Sequence, residues 1–287
     1  MWIGNLAFAA DTLKHAENSH AGGESSSWML HHISDSRTID LEPFGHITLP
    51  QFPPIRIGGL EIDLSITKHV FFMWLVSLIL IIVLSIVARS YKKQIVPHGL
   101  ANLIEVFVVF IRDEIVLSVI GKDGLKYLHY FLTLFFFILL CNLFGLIPYG
   151  ATATGNLAVT GGLAFLSFIL IQLAGIRKHG LIGYYKGLVP HGVPAFVAPL
   201  MFIVEFLGLF AKAFALTVRL FANMTAGHIV ILSLIGLIFI FKSVLVAPVS
   251  IAFAVFINLL EILVAFIQAY IFTMLTALFV GLSIHQH

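Results

Sequence analysis

The chain has 287 residues, of which 60% are hydrophobic and only 10% charged, with a mean hydropathy of +1.04, against roughly 25% charged in an ordinary soluble domain. That composition excludes a soluble globular protein, and a net charge of +2 with no Lys or Arg run longer than two excludes a nucleic-acid surface. The single cysteine, Cys141, excludes disulfide frameworks and cysteine-based zinc sites and reads as a small packing residue.

Residues 1–66 form a polar N-terminal tail with Gly22-Gly23, Ser25-Ser26-Ser27 and Pro50, Pro53 and Pro54, in which structure should be sparse. Its first 13 residues read as a signal remnant: they hold a short apolar patch ending on Ala9-Ala10 but lack the basic opening stretch of a secretory signal. His15, His20, His31, His32 and His46 lie in this tail without the spacing of a metal site. Residues 67–88 are the first clean span, about 20 residues and so about 30 Å of helix. Arg89, Lys92 and Lys93 follow it and mark the inner side, which puts the tail outside.

Residues 99–121 carry Glu105, Arg112, Asp113 and Glu114, too costly for lipid, and are predicted to be an interfacial amphipathic helix. Residues 128–192 hold a transmembrane helix pair, Tyr130 to Pro148 and Asn156 to Ile176, followed by an inner loop with Arg177, Lys178 and Lys186. Residues 193–287 are almost wholly apolar, broken near Phe241 to Pro248, and predict two long tilted helices forming a hairpin. Four shorter spans are the alternative. The fold class is therefore all-α integral membrane, with four bilayer-crossing helices or hairpin arms expected beside the interfacial helix.

The hairpin contains five formally charged residues: Glu205, Lys212, Arg219, Lys242 and Glu261. An Arg near mid-helix costs about 2.5 to 3.5 kcal/mol to insert, so Arg219 should face a protein interior or an aqueous cavity. Glu205, Lys212 and Arg219 are seven apart, and a step of seven falls only about 20° short of two full turns, so they share one stripe. Asn223 stays on that stripe, whereas His228 swings to another face. Glu261 and Gln268, also seven apart, define a second stripe with Asn258 three before Glu261. A structural salt bridge between Glu205 and Lys212 is the plainer reading of that pair. Arg219 has no acidic residue three or four positions away, so its anion must come from elsewhere.

The run from Leu216 to His228, Leu-Thr-Val-Arg-Leu-Phe-Ala-Asn-Met-Thr-Ala-Gly-His, resembles the signature of the a subunit of F-type ATP synthases, and Glu261 to Gln268 resembles its last-helix motif. The resemblance extends from about Glu61 to Ser283. It implies that Arg219 faces a rotating ring of c subunits and attracts each deprotonated ring carboxylate, with two offset half-channels leading there. It also implies that Asn223 lies beside the arginine and that His228, Glu261 and Gln268 line the outer half-channel. Asn142 and Asn156 are weaker members, and Glu205 and Lys212 belong to the inner half-channel. The implied partners are the c ring, the b-subunit peripheral stalk, the rest of the ATP synthase, the lipid bilayer and protons. The implied location is a bacterial inner membrane, with the N-terminus outside and the C-terminus cytoplasmic. Two departures stand out: many members carry histidine at the Glu261 position and an acid at the His228 position, and Gly145 stands where some carry an acid.

Residue chemistry is compatible with these roles. A guanidinium stays charged and cannot relay protons but holds a carboxylate as its anion, whereas a carboxyl and an imidazole can both exchange protons. No phosphate-binding Gly-rich loop is present. A subunit without chemistry of its own, cofactor or metal is expected. The competing class is a proton-coupled secondary transporter, which also buries Arg and Glu in helices. Haem ligation would fall to His129, His179, His191 or His228, and intramembrane proteolysis to Ser283 with His285.

Overall fold

A computed structural model describes residues 65–91, 98–147, 152–188, 196–241 and 246–285, with short pieces of backbone between 38 and 62. The signal-like residues 1–13, four of the five tail histidines, His191 and Lys242 lie outside the described residues. In the tail, strand β1 (Thr38–Asp40) pairs antiparallel with β2 (His46–Thr48), and β3 (Ile55–Ile57) with β4 (Leu60–Ile62). Every other described element is helical.

The helices are α1 (Lys68–Tyr91), α2 (Leu100–Phe110, continued by a π-helical turn Ile111–Leu117), α3 (Leu128–Gly145), α4 (Leu157–Lys186), α5 (Ala198–Phe241) and α6 (Val246–Ile284). Short 3-10 segments at Lys122–Tyr127 and Ala153–Gly155 lead into α3 and α4. Five helices are long and apolar enough to cross a membrane, namely α1, α3, α4, α5 and α6. That is one more than the expected four: the first span, the helix pair and the two hairpin arms make five. α5 and α6 have 44 and 39 residues; at the usual rise α5 is about 66 Å long, twice the hydrocarbon thickness, so it fits only tilted or projecting. Contacts between 234 and 250, 228 and 261, and 212 and 279 set the two arms antiparallel.

α3 to α6 form the bundle, and α1 leans on α3 from outside it. Lipid is as apolar as leucine, so helix association here rests on close packing and interhelical hydrogen bonds. The core joins Ile111, Ile115, Phe131, Phe135, Ile138, Leu216, Leu220, Phe272 and Val280. Tyr130 Oη and Ser167 Oγ, 2.8 Å apart, tie α3 to α4. α2 is docked on this core: Ile111, Ile115 and Val116 are buried, and Phe107 stacks on Phe266 with ring centroids 6.2 Å apart. Its polar edge, with Asn102, Glu105, Asp113 and Glu114, lines an open groove, and Arg112 pairs with Asp113 at 2.7 Å.

α4 turns sharply at Gly180, whose φ of 72° suits glycine. The turn lays the Tyr184 ring on Gly175, where a β-carbon would collide with it. At the same end of the bundle His179 Nε2 lies 2.9 Å from the carbonyl of Ile284, and His285 Nε2 lies 3.0 Å from that of Ile120. Lys178 donates to Asp123 at 2.8 Å, and Lys126 at 3.4 Å. These two ammonium groups, Lys178 first, hold the Asp123 carboxyl below the usual carboxylate range. A lowered acid contributes fully above its ordinary value and loses that contribution as pH falls through the lowered one. Asp123→Asn should therefore speed amide hydrogen exchange across residues 122–127 at neutral pH. The native protein should reach that faster exchange only well below about pH 4, the ordinary Asp value.

Candidate proton-conducting site

Two polar faces emerge from the hairpin, and they point in different directions. On α5, Arg219 and Asn223 are exposed to the outside of the chain, as are Ala211, Ala215, Ala222 and Ala226. Their spacing of three and four puts these small residues above and below the arginine on one helix face. Among the described residues Arg219 has no ion pair. Its expected protein or aqueous surroundings are therefore not supplied by the described residues.

His228, nine residues beyond Arg219, is half a turn around the helix and points into the bundle. Its Nε2 is in hydrogen-bond contact with Thr152 Oγ1, in the turn before α4. Its Nδ1 lies 4.0 Å from Glu261 Oε2 on α6. That is too long for a direct hydrogen bond but close enough for the charges to be felt, and a bridging water spans such a gap. Because a hydroxyl can donate or accept, Thr152 permits either tautomer of the ring. Glu261 is only 7% exposed, and its Oε2 accepts no hydrogen bond from the described residues.

Gly227 makes this pair geometrically feasible. A β-carbon there would strike Glu261 Oε1, so the carboxyl occupies space that any other residue would fill. Gly145 has the same relation to Thr152, whose hydroxyl sits where its β-carbon would be. A side chain as large as an acid at position 145 is incompatible with the Thr152 to His228 contact. Neither Gly227 nor Thr152 was singled out by spacing or charge. The only signal for them was a glycine beside a histidine, and a turn of small residues on the expected outer side.

The remaining candidates divide. Gln268 is buried on α6, two turns from Glu261. Asn142 is fully buried, accepts from Thr154 Oγ1 at 2.6 Å and donates to the carbonyl of Ala265 at 3.5 Å. Asn142 thus joins α3, the turn and α6. Asn156 caps α4, its side chain accepting from the Ala158 amide at 2.8 Å. Glu205 and Lys212 form no salt bridge: seven residues separate them by about 10 Å of helix, and Lys212 Nζ lies over the Phe279 ring, 5.3 Å from its centroid.

The competing chemistries find no assembled site here. Among the described residues no group of three or more His, Cys, Asp or Glu is placed to hold a metal ion. His179 and His285 engage backbone carbonyls, and Ser283 Oγ donates to the Val280 carbonyl at 2.9 Å, so Ser283 and His285 do not form a nucleophile and base.

An all-α bundle that presents a lone cation outward, and keeps a carboxyl and an imidazole facing each other within, defines an ion-handling membrane subunit that works against a partner. A family model described as ATP synthase A chain matches residues 70–281. The chain belongs to the ATP synthase A chain family, and with it to the proton-translocating membrane part of the ATP synthase complex. It is 52% identical over 258 residues to ATP synthase subunit a of Chloroherpeton thalassium, covering 89% of this chain and 76% of the relative. It is 50% identical over 281 residues to the subunit of that name from Pelodictyon phaeoclathratiforme, covering 96% and 81%. The one from Myxococcus xanthus is 53% identical over 242 residues, covering 83% and 79%.

If Gly227 makes room for the carboxyl, Gly227→Val should leave the complex assembled yet cut passive proton flux through it by on the order of tenfold or more, by misplacing a proton-exchanging group. Flux measured in reconstituted vesicles checks this.

Proposed function

We propose that Arg219 is the fixed cation past which a c-subunit ring carries its carboxylates, and that His228 and Glu261 pass protons between the outer aqueous side and that ring. The observation that carries this reading is the position of Arg219: mid-helix, exposed, flanked by small side chains and without an ion pair among the described residues. A guanidinium left in hydrocarbon costs several kcal/mol, whereas one facing a ring carboxylate gains a charge-assisted contact. The alanines on its face allow a second helix to approach closely. Because the guanidinium does not deprotonate, it releases no proton itself and bars direct leakage between the two sides of the membrane.

On the opposite face of the hairpin the imidazole and carboxyl can each take up and release a proton, with Gln268 further along the same stripe and Asn223 beside the arginine. Glu205 and Lys212 stand nearer the inner end of α5. Asn142 and Asn156 act here mainly by holding α3, α4 and α6 in register, through the contacts described above. In this arrangement the chain is a stator: with the b-subunit stalk it stays fixed while the ring turns, and ATP chemistry belongs to other subunits.

The basic residues after α1 and at the end of α4 support a cytoplasmic position for those ends. Five spans then put the tail outside and the end of α6 inside, in a bacterial plasma membrane. The charged edge of α2 lies at the interface.

Arg219→Ala should abolish ATP-driven proton pumping in an assembled complex, read as loss of vesicle acidification; normal pumping would refute the reading. Glu261→Gln should slow proton flux by at least tenfold more than Glu205→Gln, since only the first removes a relay from the outer path. Equal, near-native rates in the two variants would sink that assignment.

A further inference from the structure

A third helix reaches the outer pole of this site. α1 begins at Lys68, and His69, Met73 and Val76 follow at the spacing of a single helical stripe. The stripe is turned inward: His69 is 5% exposed and Val76 1%. Met73 and Val76 pack with Cys141 of α3 and with Ala153. Ala153 directly follows Thr152, the residue whose hydroxyl meets His228. The first turn of α1 is thereby brought to the side of the site that holds the imidazole, and Lys68 and His69 both lie within electrostatic reach of His228. An apolar residue would pack this position of a span more cheaply than histidine, whose buried polar nitrogens need partners.

We propose that His69 is a proton-relaying side chain on the outer approach to His228 and Glu261, with the half-buried Lys68 at its mouth. This rests on the reading of His228 and Glu261 as the outer path. An imidazole accepts a proton on one ring nitrogen and releases it from the other, so it can hand protons inward without entering the hairpin. The titratable groups around it are Lys68 on its own turn, His228 on α5 with Glu261 behind it on α6, and the Cys141 thiol on α3. Of these, only His228 and Glu261 continue toward Arg219. Lys68 supplies a fixed positive charge that biases how readily the neighbouring imidazoles hold a proton. On this view α1 contributes chemistry to the path as well as packing.

The test uses the intact ATP synthase, reconstituted in vesicles of defined lipid, with proton flux driven by a potassium diffusion potential. Flux is recorded against the pH of the side that residue 69 faces. His69→Gln, which keeps hydrogen-bonding capacity but cannot titrate, should assemble with native subunit ratios and lose flux by on the order of tenfold. It should also lose one inflection near neutral pH from the profile, which a merely structural role would not remove. Native flux with an unchanged profile in His69→Gln, while Glu261→Gln is impaired, would overturn the inference alone. Native flux in Glu261→Gln as well would overturn the outer-path reading beneath it. If His69→Gln fails to assemble, Lys68→Gln decides. Its profile should move toward higher pH once a cation has left the approach, and an unmoved profile would overturn the proposal.

Discussion

A positive charge that cannot be discharged, held on the outside of a membrane helix, is the constraint around which the rest of this protein is arranged. Arg219 is exposed in the chain, and lipid would make that exposure expensive. Stability of the folded subunit in a bilayer therefore depends on something anionic being brought to that face. The alanines on either side keep the face low, so a neighbouring helix can reach the guanidinium.

The second arrangement is a separation of faces. Arg219 and His228 lie nine residues apart, which places one outside the bundle and the other inside it. The outward face offers a charge that stays put; the inward face sets an imidazole and a carboxyl opposite each other. Held 4.0 Å apart on antiparallel helices, His228 and Glu261 are set by the hairpin pairing, and Thr152 orients the ring from a third direction. Away from them the C-terminal ends of α4 and α6 are fastened through His179, His285 and the Asp123 ion pairs. α4 and α6 are thus pinned at one end, while the His228 and Glu261 contact lies away from that end.

Much of this was legible in the sequence because charge inside an apolar run is rare and its spacing can be counted. Arg219 and Glu261 stood out in that way, as did the division of the hairpin into two long helices, whereas His228 entered only through the family resemblance. Residues whose contribution is shape were not legible: Gly227 and Gly145 matter because of what occupies their missing side chains, and only tertiary contacts reveal it. Thr152 was hidden in a turn of small residues. Asn142 and Asn156 looked like water-lining polar groups, but their amides bridge helices or cap one. Glu205 and Lys212 suggested a pair by type, and the helix rise kept them apart.

Gly227 also bears on how such a site can change over generations. The reversed placement of acid and imidazole cannot be reached from this one by a single substitution that keeps the pair working, since replacing either residue first leaves two carboxyls or two imidazoles facing each other. The niche at Gly227 is shaped for the group that now fills it, and the niche at Gly145 for the hydroxyl that steers its partner. Gly227 with Glu261, and Gly145 with Thr152, are thus pairs in which enlarging the glycine displaces the side chain that now fills its place.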